Sequence, residues 1–280
     1  MGYHIIMDSV GDRTKNLSNK NNFSLVPLKI VIDDDEFIDD GHLDQGMLLE
    51  RIKSAKECPR SACASPGTYK NIFKKHKEDR IYVITASSEL TGSYNSAKLA
   101  EEMFLEDYPD AEIVVIDTKS ASAGQTLVAY KIMEYEEQYS DFQVINNKVE
   151  EFIAEQNIMF VLEDINFLKQ NGRLTGMKAL LATALNIVPI LIGDENGIIR
   201  LKGQARGIKR ALRIFGNDII DDLKSGDKDT IVISHCNSKE RAITLKNKLA
   251  DLFPDLRIIV VETGGISTLY AGDGGVVVSY

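Results

Sequence analysis

The chain is poor in the residues that form disulfide frameworks and metal sites. Its 280 residues include three cysteines and four histidines. Cys58, Cys63 and Cys236 cannot all pair, and the spacing of the first two fits neither a redox C-x-x-C pair nor a zinc knuckle. The histidines are scattered without an H-E-x-x-H pattern. We therefore expect three free, reduced cysteines, no metal site and no cofactor.

Long apolar runs are also missing. No stretch approaches the roughly 18 consecutive apolar residues that a membrane-spanning helix needs. The first eight residues, MGYHIIMD, lack the basic and apolar regions of a signal peptide, and the pattern for myristoylation is incomplete. We expect a cytoplasmic protein without stable membrane insertion.

Basic charge is scarce. The formal net charge is −9 and the pI is near 5.1. Nucleic-acid binding needs a basic field, and the overall sign here is wrong for it. The basic stretch 200–210 is a short local exception and a candidate docking face.

Three segments that precede predicted helices are rich in serine, threonine, alanine and glycine. They are 61–68 (SACASPGT), 87–93 (SSELTGS) and 118–124 (TKSASAG). A helix N-terminus offers unsatisfied N–H groups and partial positive charge, and hydroxyls add further donors. Each segment alone could be an ordinary N-cap. Three of them in one half of the chain favour a shared small anionic ligand.

The first half of the sequence alternates strands and helices. Strands are predicted at 3–7, 26–33, 81–85 and 113–117, with an acidic turn after the second. This alternation predicts a parallel sheet with helices on both faces. Ligands bind such sheets at the carboxyl ends of the strands, where two of the hydroxyl-rich segments fall.

The pattern changes near residue 150. The apolar run 180–192 is predicted to pass from helix into strand, with Pro189 at the break. A turn at 194–197 then predicts a hairpin. Further helices are predicted at 208–222 and 239–252, and further strands at 230–235, 257–262 and 276–280. We expect an N-terminal α/β domain over 1–155 and a C-terminal domain with a mixed or antiparallel sheet over 156–280.

Taken in order, the motifs resemble those of the DegV family, the bacterial fatty-acid-binding proteins that present acyl chains to a fatty acid kinase. The resemblance covers essentially the whole chain. The matching segments are Asp8-Ser9, SACASPG at 61–67, SSELTGSYNSA at 87–97, DTKSASAG at 117–124 and LKQNGRL at 168–174.

The resemblance implies a single long-chain fatty acid held between the two domains, and a fatty acid kinase as partner. The residues implied for the carboxylate are Ser61, Ser87, Ser88, Gly92, Ser122 and Tyr270. Arg173 is implied in kinase docking or acyl-phosphate handling. The residues implied for the acyl chain are Leu180, Leu181, Leu185 and Ile187. Ser61 stands where the family has threonine, and Tyr270 stands where it has histidine.

An enzyme is the alternative hypothesis. The Ser87-Ser88 turn lies between a predicted strand and a predicted helix, as the nucleophile of a serine hydrolase does, and a phosphate-ester enzyme could use it too. The G-x-S-x-G pattern is missing, however. A triad would also need a nearby base, for which His235 is the candidate. The carrier hypothesis is therefore preferred.

Overall fold

The computed structural model of the protein describes residues 2–174 and 186–280. The first sheet has the strand order β2-β1-β6-β7 and is parallel throughout, as predicted. Its strands are β1 (Tyr3–Asp8), β2 (Phe23–Val26), β6 (Arg80–Thr85) and β7 (Ile113–Asp117). The central strands β1 and β6 are almost fully buried, as expected for a parallel sheet covered on both faces.

Helices cover both faces of this sheet. Side chains alternate along a strand, so Ile6 and Val83 face one helical layer while Ile5 and Tyr82 face the other. The first layer is α3 (Pro66–Lys75) and α4 (Ser93–Asp107), and the second is α5 (Ala123–Gln138) and α6 (Phe142–Glu155). The short helix α1 (Lys15–Ser18) follows β1.

The second sheet is mixed, with the order β10-β9-β8-β13-β11-β12. Only β11 and β12 are parallel to each other, while the other neighbours are antiparallel. The strands are β8 (Ile158–Val161), β9 (Ile187–Gly193), β10 (Ile199–Arg206), β11 (Thr230–His235), β12 (Arg257–Glu262) and β13 (Val276–Ser279). Helices α8 (Ile208–Ser225) and α9 (Lys239–Leu252) cover one face. The fold class expected from the sequence is confirmed.

Helix α5 lies between the two sheets. Its residues from Ala123 to Ile132 are all buried, which is typical of a helix packed on every side. Val128 and Ile132 contact the first sheet, while Ala123 and Leu127 contact the second. One helix therefore belongs to both cores.

A third, antiparallel sheet was missed by the sequence analysis. It contains β3 (Lys29–Ile32), β4 (Asp35–Ile38) and β5 (Arg60–Ala62). It packs against α2 (Gln45–Ser54) and α10 (Gly265–Ala271), close to α7 (Asn166–Gln170). The predicted single strand over 26–33 is wrong, because Pro27 lies between β2 and β3 and has no N–H for a ladder.

The predicted break at Pro189 is also wrong. Strand β9 runs through this residue, which pairs with Gln204 of β10. Pairing of β9 with β8 ends at Ile190, so Pro189 has a strand neighbour on one side only, where proline is tolerated. The predicted 194–197 turn and its hairpin are confirmed.

Candidate functional site

A cavity lies where the carboxyl ends of the first sheet meet the second sheet. Its empty volume, including its opening to solvent, is about 870 Å³. Its apolar lining includes Val10, Leu28, Leu90, Ile158, Phe160, Leu162, Leu168, Ile199, Ile266 and Val277. Its polar lining includes Ser61, Thr91, Lys119, Ser120, Ser122, Arg173, Ser267 and Tyr270.

Ser87 and Ser88 lie in the turn after β6, but their hydroxyl hydrogens are donated within the protein. Ser87 is fully buried, and its Oγ donates to the Gly197 carbonyl at 3.0 Å. The Ser88 Oγ donates to the Asp117 carboxylate at 2.5 Å. Neither residue is among those that line the cavity. Both hydroxyls hold the turn in place.

Gly92 precedes α4 and also lies outside the cavity lining. A Cβ at this position would lie 3.3 Å from the Cys63 sulfur. The glycine therefore permits close contact between the α4 start and the segment after β5.

Ser122 does line the cavity, at the start of α5. Its φ of 54° is in the left-handed region, which is strained for a residue with a side chain. Its hydroxyl donates to the buried carboxylate of Asp12. Because a serine has one hydroxyl hydrogen, Ser122 has none left for a ligand carboxylate in this arrangement.

Ser61 and Tyr270 meet in the cavity wall. The Ser61 Oγ lies 2.8 Å from the Tyr270 hydroxyl oxygen, although 209 residues separate them in the chain. Two hydroxyls that share one hydrogen bond keep one further hydrogen between them. The pair can therefore donate one hydrogen bond to an anion in the cavity.

Arg173 lies beside this pair. Its guanidinium carbon is 5.3 Å from the centre of the Tyr270 ring. Its Nε donates to the Leu90 carbonyl at 3.1 Å and its Nη1 donates to the Asn171 carbonyl at 2.6 Å. Within residues 2–174 and 186–280, no hydrogen bond engages Nη2. The cation is thus fixed in direction, and both Nη2 hydrogens and the second Nη1 hydrogen remain for an anion.

Ser120 is a further cavity residue, for which, as for Ser122, the sequence left both a ligand contact and simple capping open. It is 4% exposed, and its Oγ has no hydrogen-bond partner among the described residues. A buried hydroxyl without a partner is costly unless a ligand or water supplies one. Lys119 and Thr91, which also line the cavity, carried no separate signal in the sequence.

The acyl-chain residues inferred from the resemblance are in part beyond the described structure. Leu180, Leu181 and Leu185 lie outside the described residues. Ile187 begins β9 opposite Arg206 and is not among the residues that line the cavity. Part of the described apolar wall comes from alternate positions of β8 and its extension: Ile158, Phe160 and Leu162.

Asp8, in the first of the family-like motifs, stabilises the strand ends beside the site. It is fully buried and accepts hydrogen bonds from the Ala86 and Val10 N–H groups and from the Gln125 side chain. Burial raises the pKa of its carboxyl group, and these three donors oppose that rise. The contacts tie the ends of β1 and β6 to α5.

The hydrolase alternative needs an imidazole beside a serine. His235 ends β11, where its register partner is Glu262. Among the described hydrogen bonds, none joins any histidine to Ser87 or Ser88. The two hydroxyls of that turn instead donate to the Gly197 carbonyl and the Asp117 carboxylate.

The histidines are less scattered than the sequence indicated, because His4, His76 and Asp79 come together. The two rings stack with centroids 3.4 Å apart and an interplanar angle of 16°. One nitrogen of each ring and a carboxylate oxygen of Asp79 lie within 4.8 Å of one another. Burial and, to a smaller extent, the neighbouring His76 lower the pKa of His4 to about 4.

Within the ranges that the structure describes, no helix is both long enough and apolar enough to cross a bilayer.

The fold and the site together define an α/β protein with two main sheets and an apolar cavity between them, walled in part by a hydroxyl pair and an arginine. The chain belongs to the DegV family, whose model, described as an uncharacterised protein family, matches residues 3–280.

Similar proteins include solved members of this family. A DegV family protein from Ruminococcus gnavus, solved with vaccenic acid, is 39% identical over 99% of both chains, with a TM-score of 0.93. The Streptococcus pneumoniae Fatty Acid Kinase (Fak) B3 protein, loaded with linoleic acid, is 30% identical over 100% of this chain and 99% of that one, with a TM-score of 0.91. A DegV domain-containing protein of Streptococcus pneumoniae is 31% identical over 258 residues, which are 92% of this chain and 90% of the relative.

Proposed function

We propose that this protein binds one long-chain fatty acid in the cavity between the two sheets and presents it to a separate fatty acid kinase. The observation that carries the proposal is the apolar cavity whose wall contains the contiguous group Ser61, Tyr270 and Arg173. The protein itself supplies no covalent chemistry in this proposal.

The chemistry of the cavity matches both ends of a fatty acid. The Ser61–Tyr270 pair has one hydrogen to donate, and Arg173 adds a positive charge, so an ionised carboxylate finds a charge-assisted hydrogen bond. A tail of roughly 15 methylenes gains about 0.8 kcal/mol each on burial, before ordering costs. The tail supplies most of the affinity, and the polar group fixes the orientation.

The relatives support the same ligand class. The Ruminococcus gnavus protein was solved with vaccenic acid, and the Streptococcus pneumoniae protein is named for fatty acid kinase and was loaded with linoleic acid. Both align with nearly the whole of this chain. We infer that a fatty acid is the ligand here and that a kinase is the partner.

The test is lipid analysis of the purified protein. We expect mass spectrometry of an organic extract to show about one long-chain fatty acid per chain, and the delipidated protein to bind palmitic acid saturably. Leu90→Trp should lower the palmitate affinity by at least about tenfold, that is about 1.4 kcal/mol, because the indole would occupy the cavity. Leu99→Trp on the exposed face of α4 is the matched control and should bind normally.

The carrier role needs a second measurement. Incubation of the loaded protein with ATP should yield no acyl phosphate until a bacterial fatty acid kinase is added. The ligand assignment would be overturned if the extract contained no fatty acid and palmitic acid showed no saturable binding to the delipidated protein. Turnover of the acid by this protein alone would overturn the carrier assignment.

A further inference from the structure

Helix α10 is contributed by the last sixteen residues of the chain but packs against elements from its first quarter. Ile266 and Leu269 are buried against Leu28, Ile30 and Leu48. Leu28 directly precedes β3, Ile30 lies in β3 of the third sheet, and Leu48 lies in α2. The same helix lines the cavity through Ile266, Ser267, Tyr270 and Ala271. The position of Tyr270 therefore depends on how α10 is docked.

Two carboxylates from the first half of the chain bind the first turn of α10. The Gly264 N–H donates to Asp12 Oδ1 at 2.8 Å. The Gly265 and Ile266 N–H groups donate to the two oxygens of Asp39 at 3.1 and 2.8 Å. These are N–H groups that a helix cannot satisfy by itself. All three contacts cross from one half of the sequence to the other.

Both carboxylates are held firmly. Asp12 and Asp39 are 0% and 1% exposed. The second oxygen of Asp12 accepts the Ser122 hydroxyl, so Asp12 joins the start of α5 to the start of α10. A Cβ on Gly265 would lie 2.8 Å from the Asp39 carboxyl carbon, which leaves no room for a side chain there. The close contact between Asp39 and the first turn of α10 therefore requires glycine at position 265.

We propose that Asp12 and Asp39 are positioning residues for Tyr270: through the first turn of α10 they hold its hydroxyl against Ser61, and they thereby set the preference for a lipid with an ionised carboxylate over a neutral lipid with the same tail. This inference rests on the proposed fatty-acid binding. Neither carboxylate lines the cavity, so each acts through α10 rather than on the ligand.

The selectivity follows from the geometry of the polar group. A hydrogen bond to an ionised acceptor is stronger than one to a neutral hydroxyl, so more binding free energy is lost when its geometry is disturbed. A small displacement of Tyr270 therefore weakens the carboxylate contact more than the contact with an alcohol. The tail contacts, which involve many apolar residues, change little.

The experiment compares palmitic acid with hexadecanol by displacement of a fluorescent fatty acid from delipidated protein. Asp12→Asn and Asp39→Asn should each lower the affinity for palmitic acid by about tenfold, or about 1.4 kcal/mol. Each should lower the affinity for hexadecanol by less than about twofold. In an Asn side chain one carboxylate oxygen becomes an NH₂ group, which cannot accept the same hydrogen bond. Thermal unfolding shows whether each of the two variants is folded. One folded variant is enough to test the proposal.

Glu101→Gln is the matched control. Glu101 is 6% exposed and accepts the Val115 N–H at 3.1 Å, but it lies outside the cavity lining. Glu101→Gln should leave the ratio of acid affinity to alcohol affinity unchanged. Adding Asp39→Asn to Tyr270→Phe should change acid affinity by less than about twofold, because coupled residues are non-additive.

The outcomes separate the two proposals. If the native protein binds neither lipid, the proposed function fails. The positioning role is overturned if the native protein binds the acid but the variants lower the affinities for acid and alcohol equally. It is also overturned if Asp39→Asn lowers acid affinity as much in the Tyr270→Phe background as in the native protein. A selective and non-additive loss supports it.

Discussion

Whether a serine can bind a carboxylate depends on where its single hydroxyl hydrogen is already donated. Ser87, Ser88 and Ser122 all lie in hydroxyl-rich segments, yet each donates within the protein, to Gly197, Asp117 and Asp12. Ser61 and Tyr270, by contrast, have one hydrogen to share. The segments were thus informative about the region of the site, while the assignment of individual donors required the fold.

Arg173 is the residue whose role the structure extends. The resemblance implied a part in kinase docking or acyl-phosphate handling, and its guanidinium lies beside Tyr270 in the cavity wall. We expect Arg173→Ala to weaken palmitate binding by about tenfold, because a hydrogen bond to a charged group is worth about 1.5–3 kcal/mol. Hexadecanol binding should be little affected. The measurement is the affinity of both lipids.

Arg200→Ala is the control for this prediction, since Arg200 is an exposed arginine that pairs with Asp194 at 2.8 Å. Unchanged palmitate affinity in Arg173→Ala, combined with slower phosphorylation by the kinase, would confine Arg173 to the transfer step.

His4 predicts a loss of stability in acid. Its pKa is lowered to about 4 in the folded protein, against about 6.5 when unfolded. The unfolded chain therefore binds the proton first, and stability falls as pH falls from about 6.5 towards 4, by up to about 3 kcal/mol. His4→Gln should lose this component of the pH dependence.

Urea unfolding of the native protein and of His4→Gln across this pH range measures the pH dependence of their stability. The buried carboxylates are common to both proteins, so the difference between them isolates His4. His42→Gln, at an exposed position, should retain the native slope. A parallel slope in native protein and His4→Gln would contradict the expected titration.

At the scale of elements, the β9–β10 turn fills the space beside the Ser87 segment. Gly197 has a φ of 80°, and a Cβ there would lie 2.3 Å from the Ser87 Oγ and 2.9 Å from the Lys119 Cα. We expect Gly197→Ala to lower the free energy of unfolding by about 2 kcal/mol or more, since both the backbone strain and the clash are unfavourable.

Gly203 offers the control on the same hairpin, because nothing lies within 4 Å of its added Cβ. Gly203→Ala should change the free energy of unfolding by less than about 0.5 kcal/mol. Denaturant unfolding of the two variants gives the comparison, and equal effects would refute the steric argument.

Elements with a strong local pattern were predicted well from the sequence. The predicted bounds of β11, α9 and β12 agree with the structure. The third sheet was missed because its strands have only three or four residues, too few to show a period. Helix α10 was missed because GISTLYA has weak helix propensity, and contacts far away in sequence stabilise it instead.

At the scale of the whole molecule, the predicted boundary near residue 155 remains a prediction. Two observations describe how the regions on either side of it are joined. Helix α5 contributes to the cores of both main sheets, and α10 packs against the third sheet and α2. The site could be predicted as a region, because the ends of parallel strands meet, but not as the pair Ser61 and Tyr270.

The late position of α10 has a consequence for biosynthesis. A domain usually folds as a unit while the chain emerges from the ribosome, N-terminal part first. Here the carboxylates of Asp12 and Asp39 become buried against N–H groups at Gly264, Gly265 and Ile266, which follow them by 226 to 252 residues in the chain. The nascent chain must therefore keep these two acids hydrated until the α10 segment has emerged, and the cavity closes only after that.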